Sequence, residues 1–138
     1  MSALASIIAF TVEALGVALR ITELMFHPRD ANAAERAAGF SDADAFEFIE
    51  LQNTADETID LTSVSFVNGI TFDFNNGSVT SLGPGEFVLV VKNRLAFESR
   101  YGRGLSAKIA GEYAGKLANN GENVSLVDFW NGTIAEFA

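Results

Sequence analysis

The alternation of apolar and acidic residues is clearest over residues 45–53, A-F-E-F-I-E-L-Q-N. Successive side chains of a strand point to opposite faces, so the stretch divides into two groups of three: Phe46, Phe48 and Glu50 on one face, and Glu47, Ile49 and Leu51 on the other. Each face therefore carries large apolar side chains and one carboxylate. This pattern predicts a central strand of a sheet that is covered, at least in part, on both sides.

Seven further stretches have the apolar and β-branched density of strands. They lie at residues 19–28, 59–67, 70–74, 86–92, 109–115, 123–129 and 133–137. Turn residues separate several of them: Pro84-Gly85 suits a type II turn, and Asn-Gly pairs that suit two-residue hairpin turns lie at 68–69, 76–77, 120–121 and 131–132. Short strands joined by such turns predict an all-β, antiparallel fold.

Two stretches depart from the strand pattern. Asn93 can cap one short helix over about residues 94–101, which Gly102 would end. Residues 30–44 are a polar, alanine-rich excursion, in which residues 32–38 can form about two helical turns. We expect this excursion to lie outside the core.

The first 18 residues are mostly apolar, M-S-A-L-A-S-I-I-A-F-T-V-E-A-L-G-V-A. A signal peptide would carry basic residues before the apolar part, but none is present, and Glu13 interrupts the run. Residues 7–12 instead have the composition of a strand. We therefore interpret residues 1–18 as an N-terminal extension, the last strand of a preceding domain, and residues 19–138 as one domain.

Composition narrows the classes of partner. The formal net charge is −9, and the chain has only nine Lys and Arg residues among 138. Affinity for nucleic acid depends mostly on these basic side chains, so DNA and RNA are not expected partners. No apolar run is long enough to span a bilayer, so no membrane insertion is expected. The chain has no Cys, which excludes disulfides and thiolate chemistry.

Five motifs occur in a fixed order along the chain. They are L-R-I-T-E-L-M-F-H-P at 19–28, F-E-F-I-E-L-Q-N at 46–53, G-P-G-E-F-V-L-V-V-K-N at 83–93, A-F-E-S-R-Y-G at 96–102 and G-E-Y-A-G-K-L-A-N-N-G-E-N-V-S-L-V-D at 111–128. Together they resemble a bacterial lamin tail domain. The resemblance implies an immunoglobulin-like β-sandwich of about eight to nine antiparallel strands with one short helix, and no catalytic residues. It also implies that the chain is one module of a large secreted or surface protein.

The chain departs from that family pattern in two places. The pattern continues past residues 133–137 into another strand, so we expect the final strand of the sandwich to be missing. A strand left uncovered presents unpaired N–H and C=O groups that another strand can join. Our hypothesis is that residues 7–12, or the edge of a second molecule, fill this position. The other departure is the excursion at 30–44, which the lamin version lacks.

Carboxylates are the candidate site residues. Glu23, Glu47 and Glu50 could act in acid–base chemistry, since carboxylates in an apolar setting have shifted pKa values. They could equally be structural strand carboxylates that lie across from one another or accept backbone hydrogen bonds. We favour the structural role and expect no catalytic residues, because no nucleophile accompanies them. In the strand at 19–28, alternation predicts Glu23 on the same face as Ile21 and Met25.

Asp42, Asp44 and Glu47 are the candidate metal ligands. They lie within six residues of a loop that enters a strand, and carboxylate oxygens are the ligands that Ca²⁺ prefers. The spacing differs from that of an EF-hand loop, so a solvated acidic loop is the alternative. No cofactor other than calcium is expected.

The expected function is a non-catalytic structural or protein-interaction module of a larger exported bacterial protein, placed outside the cell or on its surface. Its partner would be a protein, a cell surface, or a second copy joined through the open sheet edge. The alternative is an accessory module of a secreted hydrolase that binds carbohydrate or calcium. An enzyme is the third possibility, and it would require an activity that Glu50→Gln removes without unfolding the protein.

Overall fold

A computed structural model describes residues 19–26, 28–115, 117, 124–128 and 133–137, and within these ranges it contains eleven strands and two helices. The strands are β1 (Leu19–Met25), β2 (Phe48–Asn53), β3 (Ile59–Asp60), β4 (Ser65–Val67), β5 (Ile70–Asp73), β6 (Ser81–Leu82), β7 (Phe87–Val91), β8 (Ile109–Glu112), β9 (Ala114–Gly115), β10 (Val124–Val127) and β11 (Thr133–Phe137). The helices are α1 (Ala33–Ala37) and α2 (Arg94–Tyr101).

Two sheets make up the sandwich. One has the strand order β1-β2-β7-β8 and the other has the order β11-β10-β4-β5-β9, while β3 and β6 pair separately. Side chains from both sheets form one buried cluster, the sandwich core, whose members include Ile49, Leu51, Phe66, Val88 and Leu126. Burying one face of each sheet against the other is the main source of stability in such folds. The predicted all-β, immunoglobulin-like sandwich is confirmed.

β2 lies between β1 and β7, which confirms the predicted central strand. One face of β2 contributes Ile49 and Leu51 to the sandwich core, and the other face contributes Phe48 to a cluster against α2. The strand begins later than predicted, because Ala43–Phe46 form a 3-10 turn. This turn is favoured locally, since the Asp42 side chain accepts a backbone N–H inside it at 2.9 Å.

A β-bulge in β1 changes which face its side chains occupy. The register with β2 shifts between Ile21 and Glu23, and the Thr22 hydroxyl donates to Glu50 on the outer face. Ile21 belongs to the sandwich core, whereas Met25 belongs to the cluster against α2. Glu23 therefore shares a face with Met25, as predicted, but not with Ile21. The prediction was wrong for Ile21 because the extra residue of a bulge interrupts strict alternation.

Of the predicted Asn-Gly turns, the structure describes two. Asn68 and Gly69 have φ angles of 63° and 77° and connect β4 to β5, as a type I′ turn requires. The turn predicted at Asn76-Gly77 was wrong, since Asn76 ends a 3-10 turn and Gly77 has a φ of −93°. A larger residue does not fit at Gly77, because its Cβ would come within 2.9 Å of the carbonyl oxygen of Ala110.

β7 and β8 run parallel, unlike the other strand pairs of the described ranges. The sequence pattern predicts antiparallel strands throughout, which is wrong for this pair. The difference arises because α2 lies between these strands in the chain, and a helical crossover returns the next strand in the same direction. The helix itself is as predicted: Asn93 accepts the N–H of Ala96 at 3.0 Å, and Gly102 follows the last turn with a φ of 81°.

Two stretches predicted as single strands are divided. Residues 59–67 form β3 and β4, because Asp60 accepts both the N–H and the hydroxyl of Thr62, at 2.9 and 2.8 Å, and the chain turns there. Residues 109–115 form β8 in one sheet and β9 in the other. The buried Tyr113 stands between β8 and β9, at the point where the chain changes sheet.

The excursion at 30–44 has a small core of its own. It contains α1, as the helical pattern at 32–38 predicts, and Ala31 is buried in a third cluster together with Phe46 and Ala96 of α2. Phe40 packs beside this cluster, edge-on to Phe46 with ring centroids 6.5 Å apart. The excursion therefore lies outside the sandwich core, as expected, but is packed onto α2.

No helix among the described residues is long and apolar enough to cross a membrane. The extension at 1–18, with the strand predicted at 7–12, lies outside the described residues, as do the Asn-Gly pairs at 120–121 and 131–132.

Candidate functional site

Glu23 and Glu50 form a cross-strand pair on the outer face of the four-stranded sheet. The register of β1 and β2 places them directly opposite each other, next to the pair of Met25 and Phe48. Glu23 is buried, and the half-buried Glu50 accepts the hydroxyl of Thr22 at 2.8 Å. The two carboxylates thus lie on the face of the sheet that packs against α2, a position that suits a structural role.

The three candidate calcium ligands are not brought together. The Asp42 side chain caps the 3-10 turn by accepting the N–H of Asp44 at 2.9 Å, whereas Glu47 is fully buried. In the part of the chain that the structure describes, which includes all three, no group of three or more His, Cys, Asp or Glu side chains could hold a metal ion. Asp42 and Asp44 belong to the 3-10 turn and its N-terminal cap, whereas Glu47 follows the turn and is buried.

Glu47 joins the start of β2 to the point where the chain changes sheet. Its Oε1 accepts the hydroxyl of Tyr113 at 2.8 Å and the N–H of Leu117 at 3.0 Å. Burial raises the pKa of Tyr113 far above its usual range, and the neighbouring Glu47 carboxylate raises it further. The phenol therefore remains protonated and donates this hydrogen bond, which links the start of β2 to the segment between β8 and β9.

Glu35 and Arg100 form a buried ion pair that the sequence analysis did not identify. The two side chains are 4% and 3% exposed. Arg100 Nε donates to Glu35 Oε2 and Arg100 Nη2 donates to Glu35 Oε1, both at 2.9 Å, which is the two-pronged geometry that makes arginine–carboxylate pairs strong. The pair links α1, within the excursion at 30–44, to α2.

Further contacts hold both members of this pair in place. Arg100 Nη2 also donates to the carbonyl oxygens of Arg29 and Asp30 at 3.2 Å, and its guanidinium lies 3.6 Å from the ring centroid of Phe46. Glu35 Oε1 accepts the N–H of Asn32 at 2.8 Å, which completes a capping box at the start of α1. Arg100 thus contacts the start of the excursion, Glu35 of α1, and Phe46 just after the excursion ends.

Part of this arrangement has a sequence signal. Asn32 followed three residues later by Glu35 is a capping-box pattern, which places the glutamate at the first turn of a helix. No local pattern identifies Arg100 as its partner, because the two residues are 65 positions apart.

The ion pair should make the free energy of unfolding depend on pH in the acidic range. Hydrogen bonding from Arg100 lowers the pKa of Glu35 from 4.5 to about 2, against the opposing effect of burial. A carboxylate with a depressed folded-state pKa contributes stability above its unfolded pKa and loses it as the pH falls towards the folded pKa. We expect the difference in unfolding free energy between the wild type and Glu35→Gln to be full above pH 4.5 and to shrink towards pH 2. Urea denaturation across this range would measure it, and a difference independent of pH would contradict the assignment.

The five-stranded sheet ends in β11 on one side. β10 pairs with both β4 and β11, whereas β11 pairs only with β10 among the described strands. A register shift near Leu126 and Val127 marks a bulge in this last pair. β11 is therefore an edge strand of the described sheet, and the backbone N–H and C=O groups on its outer side are of the kind that can pair with another strand.

Comparison with known families gives one match. The sequence model of the family described as Lamin Tail Domain matches residues 14–138, a range that includes every strand from β1 to β11. Among curated proteins, none matches the chain.

Proposed function

The chain belongs to the lamin tail domain family, whose members are immunoglobulin-like, non-catalytic domains, and from this premise we propose that it serves as a structural and protein-interaction module of a larger exported bacterial protein. The family supports the coarse role of a structural or interaction module. The exported setting agrees with the formal charge of −9, which keeps the surface well solvated. Fractionation of the producing cells tests this setting, and recovery of the protein only with the cytosol would contradict it.

The position of β11 at the end of the described five-stranded sheet is the observation that carries the interaction role. An edge strand presents backbone donors and acceptors at the spacing that a second extended chain requires. Sandwich domains therefore associate readily by adding a strand, from a partner protein or from a second copy. The proposed contact is of this kind, with β11 as the receiving strand.

Hydrogen exchange and sedimentation together test this contact. In a monomer, the outward amides of β11 exchange quickly, while those of β10 are paired on both sides and exchange slowly. We expect the β11 amides to become protected, and the sedimentation coefficient to rise, as protein concentration increases.

A lysine placed on β11 tests whether this edge strand mediates the association. Thr133→Lys, on β11, should abolish the concentration dependence, because lysine on an edge strand opposes strand addition. Thr80→Lys, an exposed position outside β11, is the matched control and should leave association unchanged. A protein that stays monomeric at all concentrations, with fast exchange throughout β11, would contradict pairing through this edge.

A further inference from the structure

Leu95, in the first turn of α2, is the one large apolar side chain of the described residues that lies mostly in solvent, at 61% exposure. Beside it lies Phe40, the half-buried ring of the excursion at 30–44. Edge-on packing against Phe46 holds this ring in place, with centroids 6.5 Å apart. An exposed leucine next to a fixed aromatic ring is a candidate contact for another molecule.

Two shallow hollows flank Phe40. The first, which we name the helix hollow, has a volume of about 270 Å³ and is lined by Phe40, Leu95 and Arg103, which follows α2. The second, the loop hollow, has a volume of about 330 Å³ and is lined by Phe40, Asp42 and Ala45, together with the two residues that precede α2. Because both hollows are lined by Phe40, this ring lies at the boundary between them.

Each hollow has one exposed charge without an ion-pair partner among the described residues. In the helix hollow it is Arg103, and in the loop hollow it is Asp42, which caps the 3-10 turn through one oxygen. The other two charges are already engaged: Glu98 pairs with Arg94 of the same helix, and Lys92 donates to a backbone carbonyl oxygen at 2.7 Å. The unpaired charges thus have opposite signs in the two hollows.

We propose that a second copy of the chain packs on this surface, related to the first by a two-fold axis that passes near Phe40. Such an axis sets the same surface of both copies face to face, so the helix hollow of each copy lies over the loop hollow of the other. Leu95 of each copy then covers the loop hollow of the other, and the two α2 helices run antiparallel. Arg103 of each copy meets Asp42 of the other, so both unpaired charges gain a partner.

The second copy is favoured over an unrelated protein because the surface is complementary to itself. It carries a protruding apolar side chain, Leu95, and beside it a hollow lined by Phe40 and Ala45 that is open to such a side chain. It also carries one unpaired charge of each sign on the two sides of Phe40. A two-fold axis satisfies all of these features at once, and each contact occurs twice.

The contact is expected to be weak. One leucine, one ring and one surface ion pair from each copy form a smaller contact than a standard interface of about 800 Å² per partner. The formal charge of −9 on each copy also opposes association. We therefore expect a dissociation constant on the order of 1 mM.

This inference goes beyond the proposed function and does not depend on it. α2 packs on the four-stranded sheet, whereas β11 belongs to the five-stranded sheet. At micromolar protein the α2 contact is almost unpopulated, so pairing through β11 can be measured by itself. Millimolar Thr133→Lys protein measures the α2 contact without β11, so either association can fail without affecting the other.

The first test is an NMR dilution series of the full chain carrying Thr133→Lys, from millimolar to micromolar protein at physiological salt. We expect the amide shifts of residues 39–45 and 92–103 to depend on concentration, and those of β4 and β10 to stay constant. Shifts that are independent of concentration, or that change over the whole surface, would overturn the proposal.

Leu95→Ala tests the apolar part of the contact. It should weaken the association at least about fivefold, because the leucine is used twice in each dimer. The side chain is exposed, so the fold should persist, and unchanged amide shifts in β7 verify it. An association as strong as that of the protein with Leu95 would contradict the arrangement.

Exchanging the charges tests the two-fold axis. Arg103→Asp and Asp42→Lys each place like charges across the contact, and each should weaken self-association roughly fivefold or more. Mixed in equal amounts, the two variants should associate with each other about as strongly as the starting protein, because opposite charges then meet at both positions. Asp42→Lys also removes the cap of the 3-10 turn, so the amide shifts of β2 are used to verify its fold. A loss that mixing does not restore would overturn the two-fold arrangement.

Arg20→Asp is the matched control for net charge. Arg20 is exposed on β1, outside both hollows, and its replacement changes the formal charge by the same amount as Arg103→Asp. It should alter the association by less than about twofold. An equal loss in the two variants would show a response to net charge alone, and the proposed contact would be wrong.

Discussion

Replacing Arg100 by Met is expected to lower the free energy of unfolding by about 3–5 kcal/mol, the usual cost of removing one partner from a buried ion pair. The change leaves Glu35 with a buried charge and takes a donor from the carbonyl oxygens of Arg29 and Asp30. Methionine still covers Phe46, so loss of packing contributes little. Urea denaturation followed by circular dichroism measures the change.

Two further variants identify the ion pair as the cause. Arg103→Met removes an exposed arginine just after α2, and should cost less than about 0.5 kcal/mol. In a double-mutant cycle, Arg100→Met combined with Glu35→Gln should cost less than the sum of the single changes by about 1–3 kcal/mol. If Arg100→Met and Arg103→Met have equal effects, or if the cycle is additive, the pair does not stabilise the fold as described.

Replacing Phe48 by Ala is expected to cost about 3–5 kcal/mol, because it opens a cavity between the four-stranded sheet and α2. Phe48 is fully buried and packs edge-on against Phe97 and Tyr101, with ring centroids 5.5 and 5.6 Å away. These contacts join the central strand to the helix. Hydrogen exchange should therefore accelerate in α2 more than in β10, which contributes to the sandwich core instead.

The controls for Phe48 separate burial from residue type. Phe48→Leu keeps most of the volume and should cost less than about 1.5 kcal/mol. Leu95→Ala removes a large apolar side chain from the same helix, but Leu95 is 61% exposed, so the expected change is within about 0.5 kcal/mol. A loss in Phe48→Ala no greater than that in Leu95→Ala would contradict the packing described for the outer face.

Features encoded by neighbouring residues were predictable. The turn at Asn68 and Gly69 requires positive φ angles that these residues adopt most easily. The bounds of α2 follow from a capping Asn93 and a terminating Gly102, and the structure places the helix at Arg94–Tyr101. Each signal acts within a few residues, so no knowledge of distant parts of the chain was necessary.

The faces of the strands were predictable only where the alternation was uninterrupted. Ile49 and Leu51 share the sandwich core, as the period of two requires. Strict alternation failed between Ile21 and Glu23, where a bulge intervenes. A hydropathy pattern does not show where such a bulge lies.

The sequence by itself determined the all-β class, the short helix α2 and the central position of β2, because these depend on local backbone preferences and on the period of apolar residues. Only the tertiary structure decided that β7 and β8 run parallel, that Glu47 meets Tyr113 from 66 positions away, and that Glu35 meets Arg100 from 65. Such contacts depend on how complete elements pack in three dimensions, and a buried charge or hydroxyl is tolerated only where that packing supplies a partner.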